Sequence, residues 1–492
     1  METGTLITLC WYFVLMLGIG VWAQRRSSTD SRAYLLAGRN LPPGVAALSA
    51  GASDMSGWLL LGLPGALYTA GLVEAWIGIG LFVGALANWI VVAPRLRAET
   101  ERLGDALTIP QFLANRFPDR ALALRVASAV VIVLFFTIYT AAGLVGGGKL
   151  FATSFAGLFA GSGLDPYTSG LWITVGVVVA YTAIGGFLAV SLTDFVQGLI
   201  MLGALVLMPL VVMFGEGGRG GASLLEVQPG FLDLTAGLTA LGWLSAVSWG
   251  LGYFGQPHII VRFMAIRSLP EVATARWIGM GWMAVCLAGA VGIGLAGRAF
   301  VEREGLALAD PETIFILLAE TLFHPLVTGF LLAALLAAIM STISSQLLVA
   351  SSSLTEDCYR LFLRRNAGER EAVLVSRVGV LLVALAALVV AADPGSGVLA
   401  LVANAWAGFG AAFGPVILLA LTWRGTTGAG ALAGLVTGAA AVAGWIALGW
   451  NGSFAGGEGL YEIVPGFLAA LAAVVGVSLA TRRVDRAEPS HL

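Results

Sequence analysis

The chain has 492 residues, 58% of them hydrophobic and only 11% charged, with a net charge of −2 and a mean hydropathy of +0.92. A soluble protein carries about a quarter charged residues, so a large soluble domain is excluded, and no basic stripe is present that would hold nucleic acid. What remains is an all-α polytopic membrane protein.

Thirteen stretches approach the roughly 20 apolar residues that a membrane-crossing helix needs. They fall near 4–24, 42–70, 72–94, 121–148, 167–190, 192–214, 235–256, 272–297, 313–359, 371–392, 397–422, 427–449 and 461–481. The first has no basic leader and no A-x-A cleavage site, so it reads as a retained span rather than a signal peptide.

The second stretch contains SAGASDMSGWLLLG, in which Gly51, Gly57, Gly62 and Pro64 surround Asp54, Ser49, Ser53 and Ser56. Irregular backbone survives in hydrocarbon only where it is buried in protein or lines a cavity, so this pattern predicts a broken helix. A carboxylate at the middle of a span costs about 2.5–3.5 kcal/mol on insertion scales and faces a partner. No Lys or Arg of any span lies at comparable depth, which makes a cation from solution, Na+ or H+, the natural partner of Asp54. A protonated Asp54 capping the half-helix that starts near Ser56 is a compatible alternative.

Asp194 falls at a short turn between the spans 167–190 and 192–214, either as a solvated loop carboxylate or lining an inner ion route. The next stretch runs on into WGLGYFGQPHIIVRF, where Gly250, Gly252, Gly255 and Pro257 predict a second break. Each break opens a block of five spans, 42–214 and 235–422. Interrupted helices at matching places in two halves point to the binding site of a secondary transporter. Five spans per block is odd, so the second block is expected to be inverted relative to the first.

The stretch 313–359 is too long for one plain span, and a kink or re-entrant piece is expected in it. It places Ser341, Ser344 and Ser345 on one helix face with Thr342 beside it. These hydroxyls either suit a small hard cation or glue helices together. Glu356 and Asp357 sit next to Arg360 and read as solvated at a membrane edge. The spacing of Gly430, Gly434 and Gly438 has no polar company and reads as helix packing. Cys10, Cys286 and Cys358 show neither metal nor redox spacing and read as small apolar residues.

With alternating sides, one set of loops holds 22 of the 26 Lys and Arg, leaving Lys149, Arg219, Arg298 and Arg303 on the other. Basic residues stay cytoplasmic, so the N-terminus is expected outside and the C-terminus inside. Nothing after Thr481 is expected to form a further domain, and no G-x-x-x-x-G-K-[ST] loop is present to hold ATP. A remote reading, an intramembrane aspartyl protease using Asp54 and Asp194, lacks the G-x-G-D motif.

GASDMSGWLLLGLPGALY, IGGFLAVSLTDFVQ, WGLGYFGQPHIIVRFMA, AAIMSTISSQLL and AWAGFGAAFGP resemble the sodium:solute symporter family, and within it the carriers of proline. The likeness runs from LLAGRNLPP to the last span. It implies inverted five-helix repeats of the leucine-transporter kind at 42–214 and 235–422. An extra N-terminal helix and loop (1–41) would precede them, with two further helices (423–481) and a short cytoplasmic tail (482–492) after them.

It further implies a Na+ site made of the carbonyls of Ala52, Met55 and Ala338 and the hydroxyls of Ser341 and Thr342. Asp54 and Arg39 would take part in ion coupling. Proline would be bound by Ser56, Gly57, Trp58, Tyr139, Trp249, Tyr253 and Pro257, and Asp194, Ser344 and Ser345 would match a second sodium site or exit path. The expected activity is Na+-coupled uptake of L-proline across the bacterial cytoplasmic membrane by alternating access. Neither catalysis nor any cofactor is involved, and Na+ is the only metal. The alternative is the same machine for another amino acid or a small carboxylate.

Overall fold

A computed structural model describes residues 3–27, 31–215 and 227–485. Most of the tail expected at 482–492 lies outside these residues, as do Arg219 and Arg486. Among the described residues the protein is helical, with an isolated bridge between Leu41 and Ile266 and no strand.

In chain order the main helices begin with α1 (Thr3–Ser27), α2 (Pro43–Asp54) and α3 (Leu63–Ala70). Next come α4 (Ala75–Arg102), α5 (Ala121–Ser154) and the long α6 (Pro166–Phe214). They continue with α7 (Ala240–Ser248), α8 (Pro257–Ala265), α9 (Glu271–Arg303), α10 (Ile314–Leu322) and α11 (Pro325–Ser353). The last four are α12 (Glu369–Val390), α13 (Val398–Thr422), α14 (Gly428–Ala447) and α15 (Ile463–Asp485).

Ten helical segments among the described residues are long and apolar enough to cross a membrane. The other three expected positions are the two interrupted stretches and the first limb of α6. The outward faces carry large apolar side chains such as Trp11, Val130 and Val389, as a lipid-facing surface requires. The protein is a multi-pass membrane protein.

Local chemistry sets the boundaries. Asp165 caps α6 by accepting the Thr168 N–H at 2.8 Å, and Thr239 and Thr427 cap α7 and α14 in the same way. The long stretch 313–359 does break, at Phe323 and His324. Pro325 cannot continue the preceding helix and holds His324 extended, so α11 starts afresh there. Beyond Ser353 the helix widens into π turns over Leu354–Leu363.

The turn expected near residue 191 is instead a bend at Gly186 (φ 62°, ψ −158°), a conformation that a side chain would strain, and α6 runs on without interruption to Phe214. Asp194 therefore lies about two turns inside a helix.

In lipid the helices gain little from apolar burial and depend on close packing by small residues. A Cβ on Gly84 of α4 would stand 2.2 Å from the Gly250 carbonyl oxygen, and one on Gly80 would stand 2.5 Å from that of Val247. The same holds for the Gly430, Gly434 and Gly438 row, which lies against α15 and α13. At the centre stands α11, with 83% of its most apolar window buried, packed on α1, α2, α5 and α6. The three cysteines are free.

Candidate functional site

The first break follows α2. Met55 leaves the helix (φ −81°, ψ 77°), the Ser56 N–H turns back to the Asp54 carbonyl at 2.9 Å, and π turns over Trp58–Gly62 restart the helix. The second break is the 3-10 segment Trp249–Gly255 and the extended Gln256, after which Pro257 opens α8. None of Gly51, Gly57, Gly62, Gly250, Gly252 or Gly255 has positive φ. They serve close approach instead. A Cβ on Gly252 would fall on the Trp406 ring, and one on Gly51 would lie 2.7 Å from Trp282.

Two of the serine-rich residues of α11 reach the first break. The Ser341 hydroxyl donates to the Ala52 carbonyl at 2.7 Å, and that of Thr342 does so at 3.4 Å. Both also lie within reach of the Ala338 carbonyl, at 3.1 and 3.3 Å. Two carbonyls and two hydroxyls thus converge on one buried place where α2 ends. Met55 is fully buried beside them, and no hydrogen bond joins it to Ser341 or Thr342. Asp54 is turned elsewhere: its Oδ2 accepts from the Tyr253 hydroxyl of the second break.

Around Asp54 gather Ser56, Gly57, Trp58 and Tyr139. The Trp58 indole donates to the Asp54 carbonyl at 3.2 Å, and the Tyr139 hydroxyl donates to the same oxygen at 3.5 Å. The other two residues assigned to proline lie apart. Trp249 stacks on Tyr461 at 5.1 Å and borders a cavity of about 440 Å³ that also meets Glu74, Ser245 and Glu458. Pro257 borders a different cavity with Phe187, Val261 and Ser352.

Three expectations need correction. Asp194 is no solvated loop residue. It is fully buried, and its Oδ2 accepts from Ser49 at 2.7 Å, Ser345 at 3.3 Å and Arg262 at 3.1 Å. The statement that no basic residue lies deep in a span also fails, because Arg262 is fully buried within α8 and pairs with Asp194. The loop placed around Arg262 is in fact the helix that follows the second break. Asp357 is likewise buried, held by Arg125 at 2.7 Å, Thr108 at 3.1 Å and Ser353 at 3.2 Å, and the largely buried Glu356 pairs with Arg360. The π turns over Leu354–Leu363 bring both carboxylates inward. Ser344 stays out of the Asp194 cluster and donates to the Ser341 carbonyl of its own helix at 3.0 Å.

Arg39 sits at the junction of several elements. It bonds Asp105 at 2.6 Å, Thr100 at 3.1 Å, and the carbonyls of Met264 and Ala106, both at 2.8 Å. Burial pulls its pKa below the ordinary value, and Asp105 opposes that shift. Sequence reasoning missed Trp406, whose indole donates to the Trp249 carbonyl at 2.7 Å and whose ring meets Tyr253 edge-on at 5.0 Å. It also missed Gln256, which donates to the Trp406 carbonyl at 3.0 Å, and His258, edge-on to Tyr139 at 5.7 Å. The one available signal for Trp406 was its polar N–H inside the glycine-rich AWAGFGAAFGP.

A helical membrane bundle whose interrupted segments meet at a buried carboxylate, beside a hydroxyl-and-carbonyl cluster, has the architecture of a secondary transporter. The sequence profile of the Sodium:solute symporter family matches residues 34–438. The high-affinity proline transporter PutP of Bacillus subtilis is 54% identical over 96% of this chain and 97% of its own length. The sodium/proline symporter of Staphylococcus aureus is 50% identical over 97% of this chain and 93% of its own.

Among solved structures, a Na+-coupled sialic acid symporter in a substrate-bound outward-open state superposes with a TM-score of 0.79. It is 17% identical, and the match covers 97% of this chain and 98% of that one. The nucleobase-cation-symport-1 family transporter Mhp1 in a closed conformation gives 0.57 at 16% identity, covering 94% and 96%.

The chain belongs to the sodium:solute symporter family. It is a secondary transporter and not an enzyme, so the protease reading falls. Asp194, committed to Arg262 and Ser49, has no place in a catalytic carboxylate pair with Asp54.

Proposed function

We propose that this protein carries Na+ and L-proline together across the bacterial cytoplasmic membrane by alternating access. The observation that carries the reading is the Ser341 hydroxyl at 2.7 Å from the Ala52 carbonyl, which joins the first break to α11. Na+ binds among the oxygens of Ala52, Met55, Ala338, Ser341 and Thr342, which suit a small hard ion. In doing so it fixes the end of α2 and with it Asp54, Ser56 and Trp58. Tyr253, bonded to Asp54, passes that order to the second break, which holds Trp249 and against which Trp406 of α13 packs.

Proline's carboxylate meets the N–H groups at the start of the restarted helix, beside Ser56 and from Gly57 on. Its apolar ring and charged amine meet Trp58, Tyr139 and Tyr253, with Trp249 closing over them from the neighbouring cavity. Pro257 starts α8 and sets the direction of that helix. Arg39 joins the loop before α2 to the end of α8 and couples the two breaks on the inner side. Asp194, Ser345 and Arg262 lie about one turn further along α2 and α11 from Ala52 and Ser341, on the path by which the ion leaves.

Thirteen spans, with the N-terminus outside and the C-terminus inside, fit this scheme. Residues 42–214 and 235–422 act as inverted five-helix repeats, 1–41 precedes them, and 423–481 and the tail follow. An inside-negative potential supplies about 2.3 kcal/mol per 100 mV for one charge, enough for more than tenfold accumulation.

The test is uptake of radiolabelled proline by proteoliposomes. Uptake is expected to overshoot equilibrium under an inward Na+ gradient and to vanish when K+ replaces Na+. Uptake at the same rate without Na+ refutes the reading.

A further inference from the structure

We infer that Asp54 and Asn88 form a further alkali-cation site on the other side of α2 from Ser341, with Asn88 as its second oxygen ligand. The inference rests on the Na+-coupled reading above. A cavity of about 20 Å³ lies between α2, α4, α8 and α9, with Asp54, Asn88, Trp89, Tyr253 and Met280 on its wall. That is room for a single guest the size of a water.

Asn88 is 1% exposed, yet among the described residues neither its Oδ1 nor its Nδ2 has a hydrogen-bond partner. Asp54 is 3% exposed, and its Oδ1 is likewise unpartnered. Buried amide and carboxylate atoms are nearly always paired, and exceptions mark an ion, a water or a functional group.

Charge decides the identity of the guest. Asp54 has the Tyr253 hydroxyl on Oδ2 and, among the described residues, no ion pair. A neutral guest would leave the buried carboxylate uncompensated or oblige it to take up a proton, whereas a cation offsets the cost of desolvating it. Asp54 Oδ1 and Asn88 Oδ1, with the Tyr253 oxygen close by, supply the hard donors that Na+ takes. The rest of the wall, with Met280, Trp89 and Phe263 its largest side chains, is apolar. The wall of this cavity holds no residue of α11, whereas the Ser341 and Thr342 hydroxyls of α11 reach the Ala52 carbonyl from elsewhere. This site and the one at Ser341 therefore flank the break from opposite sides.

The experiment is a Na+ titration of proline uptake in proteoliposomes carrying the full chain, for wild type, Asn88→Leu and Asn88→Asp. Leu keeps the branched outline of Asn88, is somewhat larger, and removes its oxygen. The Na+ concentration for half-maximal uptake is expected to rise at least tenfold in Asn88→Leu, while half-saturation by proline at high Na+ moves less than threefold. In Asn88→Asp, which keeps an oxygen and adds charge, Na+ half-saturation is expected to fall at least threefold.

Na+ half-saturation within twofold of wild type in Asn88→Leu, or an equal shift for both solutes, assigns the cavity to a structural water and overturns the inference. If Asn88→Leu does not reach the membrane, Asn88→Asp decides alone, an unchanged or raised Na+ requirement counting against the site. Loss of Na+ dependence in the wild type itself would refute the transport reading rather than this site.

Discussion

The Arg262 guanidinium lies 3.1 Å from Asp194 in the interior of the bundle, both side chains fully buried, and its Nε lies 3.2 Å from the Ser49 hydroxyl of α2. One ion pair thus ties α8, which follows the second break, to α6 and to the helix that ends in the first break. Removing one partner of a buried pair leaves the other uncompensated and costs about 3–5 kcal/mol. Arg262→Met is therefore expected to lower thermal stability in detergent sharply, and the double variant Asp194→Leu/Arg262→Met is expected to recover more than half of the loss. A double variant as unstable as the two single losses combined would show that the pair does not act as a unit.

The contacts of Ser341 are shorter than those of Thr342, 2.7 against 3.4 Å to Ala52. Ser341→Ala is accordingly expected to raise the Na+ concentration for half-maximal uptake at least tenfold, and Thr342→Ala by a smaller factor. In Na+-free buffer each variant is expected to lose no more than the about 0.5–1.5 kcal/mol of one hydrogen bond. A Na+ titration of uptake checks the order, and unchanged half-saturation in both would remove these oxygens from the ion site.

Tyr253→Phe keeps the edge contact with Trp406 and deletes only the hydroxyl that reaches Asp54. Hydrogen bonds to charged groups contribute about 1.5–3 kcal/mol, so uptake at subsaturating proline and Na+ is expected to fall at least tenfold. Wild-type uptake by this variant would separate the two breaks functionally.

Close packing of α4 on the second break leaves no room for a methyl group at Gly84. Gly84→Ala is expected to cost about 1–3 kcal/mol through overpacking. Gly18→Ala, with nothing within 4 Å of the new Cβ, should be neutral. Melting temperatures of the two purified variants give the comparison directly.

Much of this was legible in the sequence because the membrane limits what backbone can do. Gly and Pro around Asp54 and around Tyr253 marked both breaks, since an unpaired backbone group in lipid has few alternatives. The convergence of Ser341 on Ala52 came from family resemblance, as no spacing rule joins residues so far apart in the chain. The partners of Asp194 were hidden for a different reason. Hydropathy counts Arg262 as a loop residue, although α8 carries it inward, and the bend belongs to Gly186, whose positive φ leaves no trace in an apolar average. Asp357 was misread in the same way, because the π turns that bring it to Arg125 are invisible to a 3.6-residue period. Asn88 gave no signal at all, being one amide in an otherwise apolar helix.

The central claim, that the ion shapes the amino-acid site, is tested most directly by proline binding to purified protein with and without Na+. The account predicts that saturating Na+ tightens proline binding at least tenfold and that saturating proline tightens Na+ binding by the same factor, as linkage requires. Proline affinity independent of Na+ would contradict it.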